Sequence, residues 1–99
     1  MRPEEHIRVF VLDAIADDYE DFDMIVGDIG RRAAREGVPV TPVEIWEGLM
    51  KLIDEGLARA YRLSTTAPPE VIRGRPDPTI DAGCYFYLTP QGKLAIKYD

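Results

Sequence analysis

The sequence predicts an α+β fold: three helices, a pair of strands joined by a long connection, and a short closing helix. Three observations predict it. Apolar residues recur at helical spacing in three successive segments. A helix-start signal at Thr41 and a stop at Gly56 bracket the third of these. Beyond Gly56 the pattern shifts to alternation, over Leu57–Leu63 and again over Cys84–Leu88.

The first helix is read over Pro3–Asp17. Pro3 suits a first turn, and Glu4 and Glu5 suit the positive end of the helix dipole. Ile7, Val11 and Ile15 fall four apart, with Phe10 and Ala14 beside them. Val9 and Leu12 widen the stripe, so it needs burial on two sides, inside the domain or against a second copy as a homodimer. Asp17–Asp23 is a polar break. It lacks the glycine and ligand spacing of a calcium loop, and Asp21 or Asp23 is placed to cap the next helix.

The second helix, Met24–Glu36, has a ridge of Phe22, Ile25, Ile29 and Ala33 and a stop at Gly37. Its arginines, Arg31, Arg32 and Arg35, lie toward the C-terminal end, where cations suit the dipole without any ligand. The third helix opens on a capping box, Thr41 with Glu44, and Pro42 at the first helical position. Ile45, Leu49, Leu52 and Ile53 make its core face, and Trp46 and Met50 its edge. Glu44, Glu47, Gly48, Lys51 and Glu55 make the opposite stripe. Between the strands, Ser64–Gly83 is a long connection punctuated by prolines, of the kind that is functional or mobile. In CYFYL, Phe86 and Leu88 are expected to face in, Tyr85 and Tyr87 out. Thr89-Pro90 starts the last helix, which runs to about Lys97.

A chain of 99 residues is expected to form one domain. Its 45% hydrophobic and 30% charged residues are those of a globular protein and exclude a disordered chain. The longest apolar run, Val9–Leu12, is too short to span a membrane, and no cationic start leads an apolar segment. One cysteine, Cys84, cannot form an internal disulfide, so the expected compartment is the cytoplasm. The net charge of −6 sits entirely in residues 1–23, which hold eight acids against two arginines; the remainder is neutral. Such a balance argues against nucleic acid, whose binders normally present a basic patch.

Catalysis finds little footing. His6 has no nucleophile near it in sequence, and Cys84 lies in an apolar strand, the setting of an inert thiol. No phosphate loop, zinc spacing, catalytic triad pattern or cofactor motif is legible.

Two stretches carry a resemblance: LxxLIDEGLARAYRL, Leu49–Leu63, and YFYLTPQGKLA, Tyr85–Ala95. The order of elements and these residues resemble winged-helix regulators of the MarR and PadR kind. There a leucine-rich reading helix ends in glycine before the first wing strand, and the second wing strand ends in a Leu-Thr-x-x-Gly step into a helix. The likeness covers Met24–Lys97.

It implies that the helix Pro42–Glu55 enters a DNA major groove, with Lys51 its one cation. It implies that Arg73 and Arg75 sit near the wing tip on phosphates, flanked by Arg59 and Arg62, with Arg31, Arg32 and Arg35 as further contacts. Double-stranded DNA, bound weakly or with a partner's help, is then the expected ligand. The acidic stripe departs from that pattern. Glu47 precedes Lys51 by four residues, an ion pair worth only ~0.3–0.5 kcal/mol. The alternative is a winged helix that has lost DNA binding and docks proteins through Trp46, Met50, Tyr85 and Tyr87, residue types favoured at interfaces.

Overall fold

The computed structural model describes residues 3–98, and the side chains of residues 4–96. Among these residues it is an α+β arrangement of four helices and one four-stranded antiparallel sheet. In chain order the elements are α1 (Pro3–Ala14), β1 (Glu20–Asp21), α2 (Phe22–Glu36), α3 (Pro42–Asp54), β2 (Ala58–Arg62), β3 (Glu70–Ile72), β4 (Tyr85–Leu88) and α4 (Pro90–Tyr98). The strands lie in the order β1-β4-β2-β3, so the two expected strands are adjacent at the centre. No described helix is long and apolar enough to cross a membrane.

The helix starts follow their chemistry. Asp21 accepts from the Met24 amide at 2.8 Å and caps α2. The Thr41–Glu44 capping box closes in both directions, at 3.2 and 3.0 Å. Gly56, at φ 77°, takes the left-handed turn that ends α3, and the Leu57 amide reaches back to the Leu52 carbonyl at 2.9 Å.

The first helix is shorter than expected, ending at Ala14. Its wide stripe is buried within this chain: Ile7, Phe10, Val11, Leu12 and Ile15 all lie in the core, and Val9 and Ala14 are half-buried. A second copy is not needed to cover it. The core continues through Ile25, Ile29 and Ala33 of α2 and Ile45, Leu49, Leu52 and Ile53 of α3. The inner face of the sheet closes it with Ala58, Ala60, Ile72, Phe86 and Leu88.

Two strands were not anticipated. β1 is a two-residue strand in the acidic break, paired to β4 through Glu20–Phe86 and Asp21–Tyr85. β3 lies inside the expected loop and pairs with β2 through Ala60–Ile72, Tyr61–Val71 and Arg62–Glu70. β2 and β3 therefore form a hairpin whose tip is residues 63–69, and the chain returns to the base of the hairpin before Arg73.

The Leu-Thr-x-x-Gly step has a physical cause. Thr89, buried between β4 and α4, donates its hydroxyl to the Gly56 carbonyl at 2.7 Å and accepts from the Gly92 amide at 3.0 Å. Its own amide donates to the Leu57 carbonyl at 3.0 Å. A side chain at position 92 would put its Cβ 2.1 Å from that carbonyl oxygen, so only glycine fits the approach. The step latches α4 onto the turn that ends α3.

Candidate interaction surface

The eight cations proposed from sequence divide in two. Arg31, Arg32, Arg62 and Arg75 are each engaged by carboxylates of this chain. Arg31 pairs with Asp28 on its own helix. Arg32 joins Asp13 of α1 at 2.6 Å and Glu36 at 2.9 Å, and lies over the Phe10 ring at 4.6 Å. Arg62 bridges Glu70 across the hairpin at 3.0 Å and Asp81 at 2.6 Å. Arg75 grips Asp54 with two nitrogens, at 3.0 and 2.5 Å, and holds that carboxyl below its ordinary range.

The other four, Arg35, Lys51, Arg59 and Arg73, have no ion pair among the described residues. They line three separate clefts. Arg35 opens on a cleft of ≈ 370 Å³ with Asp13, Asp17, Glu20 and Asp28 in its walls. Lys51 lines a cleft of ≈ 420 Å³ between α1 and α3, among Glu4, Glu44, Glu47 and Glu55. Only Arg59 and Arg73 share one, a groove of ≈ 360 Å³ at the base of the hairpin.

Arg73 and Arg75 thus lie at the foot of the β2–β3 hairpin beside the end of α3, not at its tip. The reason is β3, which reverses the chain before Arg73. The tip itself, Leu63 to Pro69, carries no charged residue.

The polar stripe of α3 is partly covered. Gly48 rests against Ile7 of α1, and Glu55 is tied to Arg8 at 2.6 Å. What faces solvent is Val43, Glu47, Lys51 and Asp54, one cation among acids.

Met50 is buried in the core, 3% exposed, and so presents no surface to a partner. Its neighbours on the helix place it inward together with Leu49 and Ile53. Trp46 is half-buried at the core edge, packed edge-to-face on Phe22 at 5.2 Å and Phe86 at 6.3 Å. Tyr85 and Tyr87 lie on the outer face of the sheet, where Tyr85 opposes Tyr61 and Tyr87 opposes Arg59. Tyr19 packs on the rings of Tyr61 and Tyr87 at 5.2 and 4.8 Å, and the Lys93 ammonium stands 4.9 Å from the Tyr87 ring centre. The outer face is therefore an aromatic and cationic layer that sequence reading found only in part. The missing signal was register: Tyr19 and Tyr61 join the layer only once β1 and β2 are set beside β4.

Three titrating groups stand out. Burial, with Asp28, Asp18 and Asp21 nearby, pushes the Glu20 carboxyl up, and its Oε2 is buried with no hydrogen-bond partner. The Asp77 amide at 2.7 Å and then Arg62 hold the Asp81 carboxyl down, against partial burial. Burial, reinforced by Asp81, pushes the Cys84 thiol up and keeps it in its unreactive protonated form. His6 is half-buried beside Phe10, the ring centres 6.0 Å apart. Among the described residues, no group of three or more histidine, cysteine or acidic side chains is placed to hold a metal ion.

In comparisons with known proteins, the chain matches no family model and no curated protein.

Proposed function

We propose that the chain is a winged-helix module, with β2–β3 as its wing, that docks a protein partner and does not read DNA through α3. Support for the winged-helix reading comes from the three helices, the strand pair that follows, and the Thr89 latch between the third helix and the last. The docking reading rests on one observation. Of the eight cations expected to meet DNA, the four without an ion pair among the described residues line three separate clefts, two of them walled by carboxylates, so these four do not share one track. A duplex carries a negative charge every ~1.7 Å and needs such a track. The outward stripe of α3 sets Glu47 beside its one cation, Lys51, and Asp54 is taken by Arg75, so the stripe offers phosphates no net positive charge at the rim of a groove.

The test is fluorescence anisotropy of a labelled mixed-sequence duplex titrated with the protein at about 50 and about 200 mM salt. The expected result is no binding up to ~100 μM, around the weak end of non-specific affinity. Binding that falls steeply between the two salts would favour the competing reading, weak or partner-assisted DNA binding through the unpaired cations.

A further inference from the structure

Arg59 and Arg73 are an anomaly in this chain. There are 18 acids for 12 bases, and Arg8, Arg31, Arg32, Arg62 and Arg75 all find carboxylates. These two do not. Arg59 precedes, and Arg73 follows, the last rung of the hairpin, Ala60–Ile72. Both are exposed, and both line the groove at the hairpin base. Like charges opposed across strands repel. An acid was available to relieve them at little cost in a sequence so rich in carboxylates, yet none stands there. The nearest acid along α3, Asp54, is occupied by Arg75, so the groove keeps its positive field. Its lining is otherwise apolar: Ile53 and Ile72 from the core edge, Gly56, and Val71, which is 45% exposed.

We infer that this groove is a docking site for an acidic peptide segment of a partner protein, with carboxylates on Arg59 and Arg73 and an aliphatic side chain on Val71. The inference rests on the docking reading above and names its surface. Guanidinium forks suit bidentate carboxylates. Charge and size together select a peptide over nucleic acid. Two arginines match two carboxylates of a short segment. A duplex engaging the same groove would have to continue past a hairpin tip without cations and an acidic α3.

The experiment uses three labelled probes against the 99-residue chain: a short peptide of glutamate and leucine, its lysine–leucine counterpart, and a mixed-sequence duplex. The glutamate peptide should bind saturably and the lysine peptide should not. Arg59→Gln or Arg73→Gln should each weaken binding about tenfold or more, while the melting temperature is kept or rises. No saturable binding of the glutamate peptide up to ~1 mM, or binding unchanged by the double variant, overturns the inference. If the duplex is also silent, the docking reading survives that failure. If the duplex binds and the two variants release it, both readings fall together.

Discussion

A methyl group at Gly92 would meet the Leu57 carbonyl oxygen, and that one contact separates two opposite expectations. On an exposed helix, glycine to alanine stabilises by up to about 1 kcal/mol. Here the backbone of the α3–β2 turn must shift, so Gly92→Ala should destabilise by about 1–3 kcal/mol, lowering the melting temperature by roughly 5–20 °C. Thr89→Ala removes the other half of the latch, the cap on Gly92 and the bond to Gly56, and should cost about 1–2 kcal/mol. Thr89→Ser keeps both bonds and should recover most of that loss. Thermal melts of the three variants decide the matter; a stabilised Gly92→Ala would mean that the latch is not closed.

Glu20 gives a pH test at the same scale. Its folded pKa is raised, so its contribution to stability is fully present below its unfolded value and is lost as pH rises through the folded value. At neutral pH the buried charge is a burden. Glu20→Gln should therefore raise the melting temperature near pH 7, and the difference from the parent should vanish in acid. Equal melting temperatures at both pH values would show that Glu20 is solvated. The residue was legible only as one acid in a polar run; that its Oε2 is buried follows from β1, whose pairing with Phe86 turns it inward.

At the scale of elements, the caps and the core faces were readable because they are local. Thr41 with Glu44, Asp21 and Gly56 lie within a turn of the groups that they satisfy. β3 was hidden for the opposite reason. Its short segment, Glu70–Ile72, is a strand because β2 offers a partner, and the surrounding prolines made the stretch read as loop. A signal was present: Val71 and Ile72, adjacent β-branched residues between Pro69 and Gly74. Missing it put Arg73 and Arg75 at the wing tip and hid the groove that Arg73 shares with Arg59.

The segment after β3 is held by Asp81. This residue accepts from the Asp77 amide and from Arg62, while Asp77 accepts from the amides of Thr79 and Ile80. The Asp81 carboxyl is held below its ordinary value. Its contribution is present above the unfolded pKa and is lost as pH falls through the lower folded one. Asp81→Asn should lower the melting temperature at neutral pH and lose its effect below that folded value; hydrogen exchange of the Thr79 and Ile80 amides should quicken alongside. Unchanged exchange would mean that the loop is ordered by its prolines alone. The hairpin makes a second, opposite claim. Removing one arginine of the Arg59–Arg73 pair relieves repulsion, so Arg59→Gln should be neutral or stabilising by ~0.2–1 kcal/mol.

Over the whole molecule, charge is sorted by place. Acids crowd the α1–α3 cleft and the wall around Glu20, five arginines are drawn into ion pairs, and of the cations without one Arg59 and Arg73 share the groove at the hairpin base. The sequence carried the acidic excess and the odd acidic helix in plain view. It could not carry which arginines are engaged, because each partner of Arg32, Arg62 and Arg75 except Glu36 is eight or more residues away and arrives only with the tertiary fold. The central claim is that the working surface is the hairpin base and not the face of α3. An amide chemical-shift map of the protein, titrated separately with the glutamate–leucine peptide and with duplex DNA, tests it most directly. The account predicts that the peptide shifts Arg59, Val71 and Arg73 and that the duplex shifts nothing. Shifts along Val43, Glu47 and Lys51 on adding duplex would contradict it.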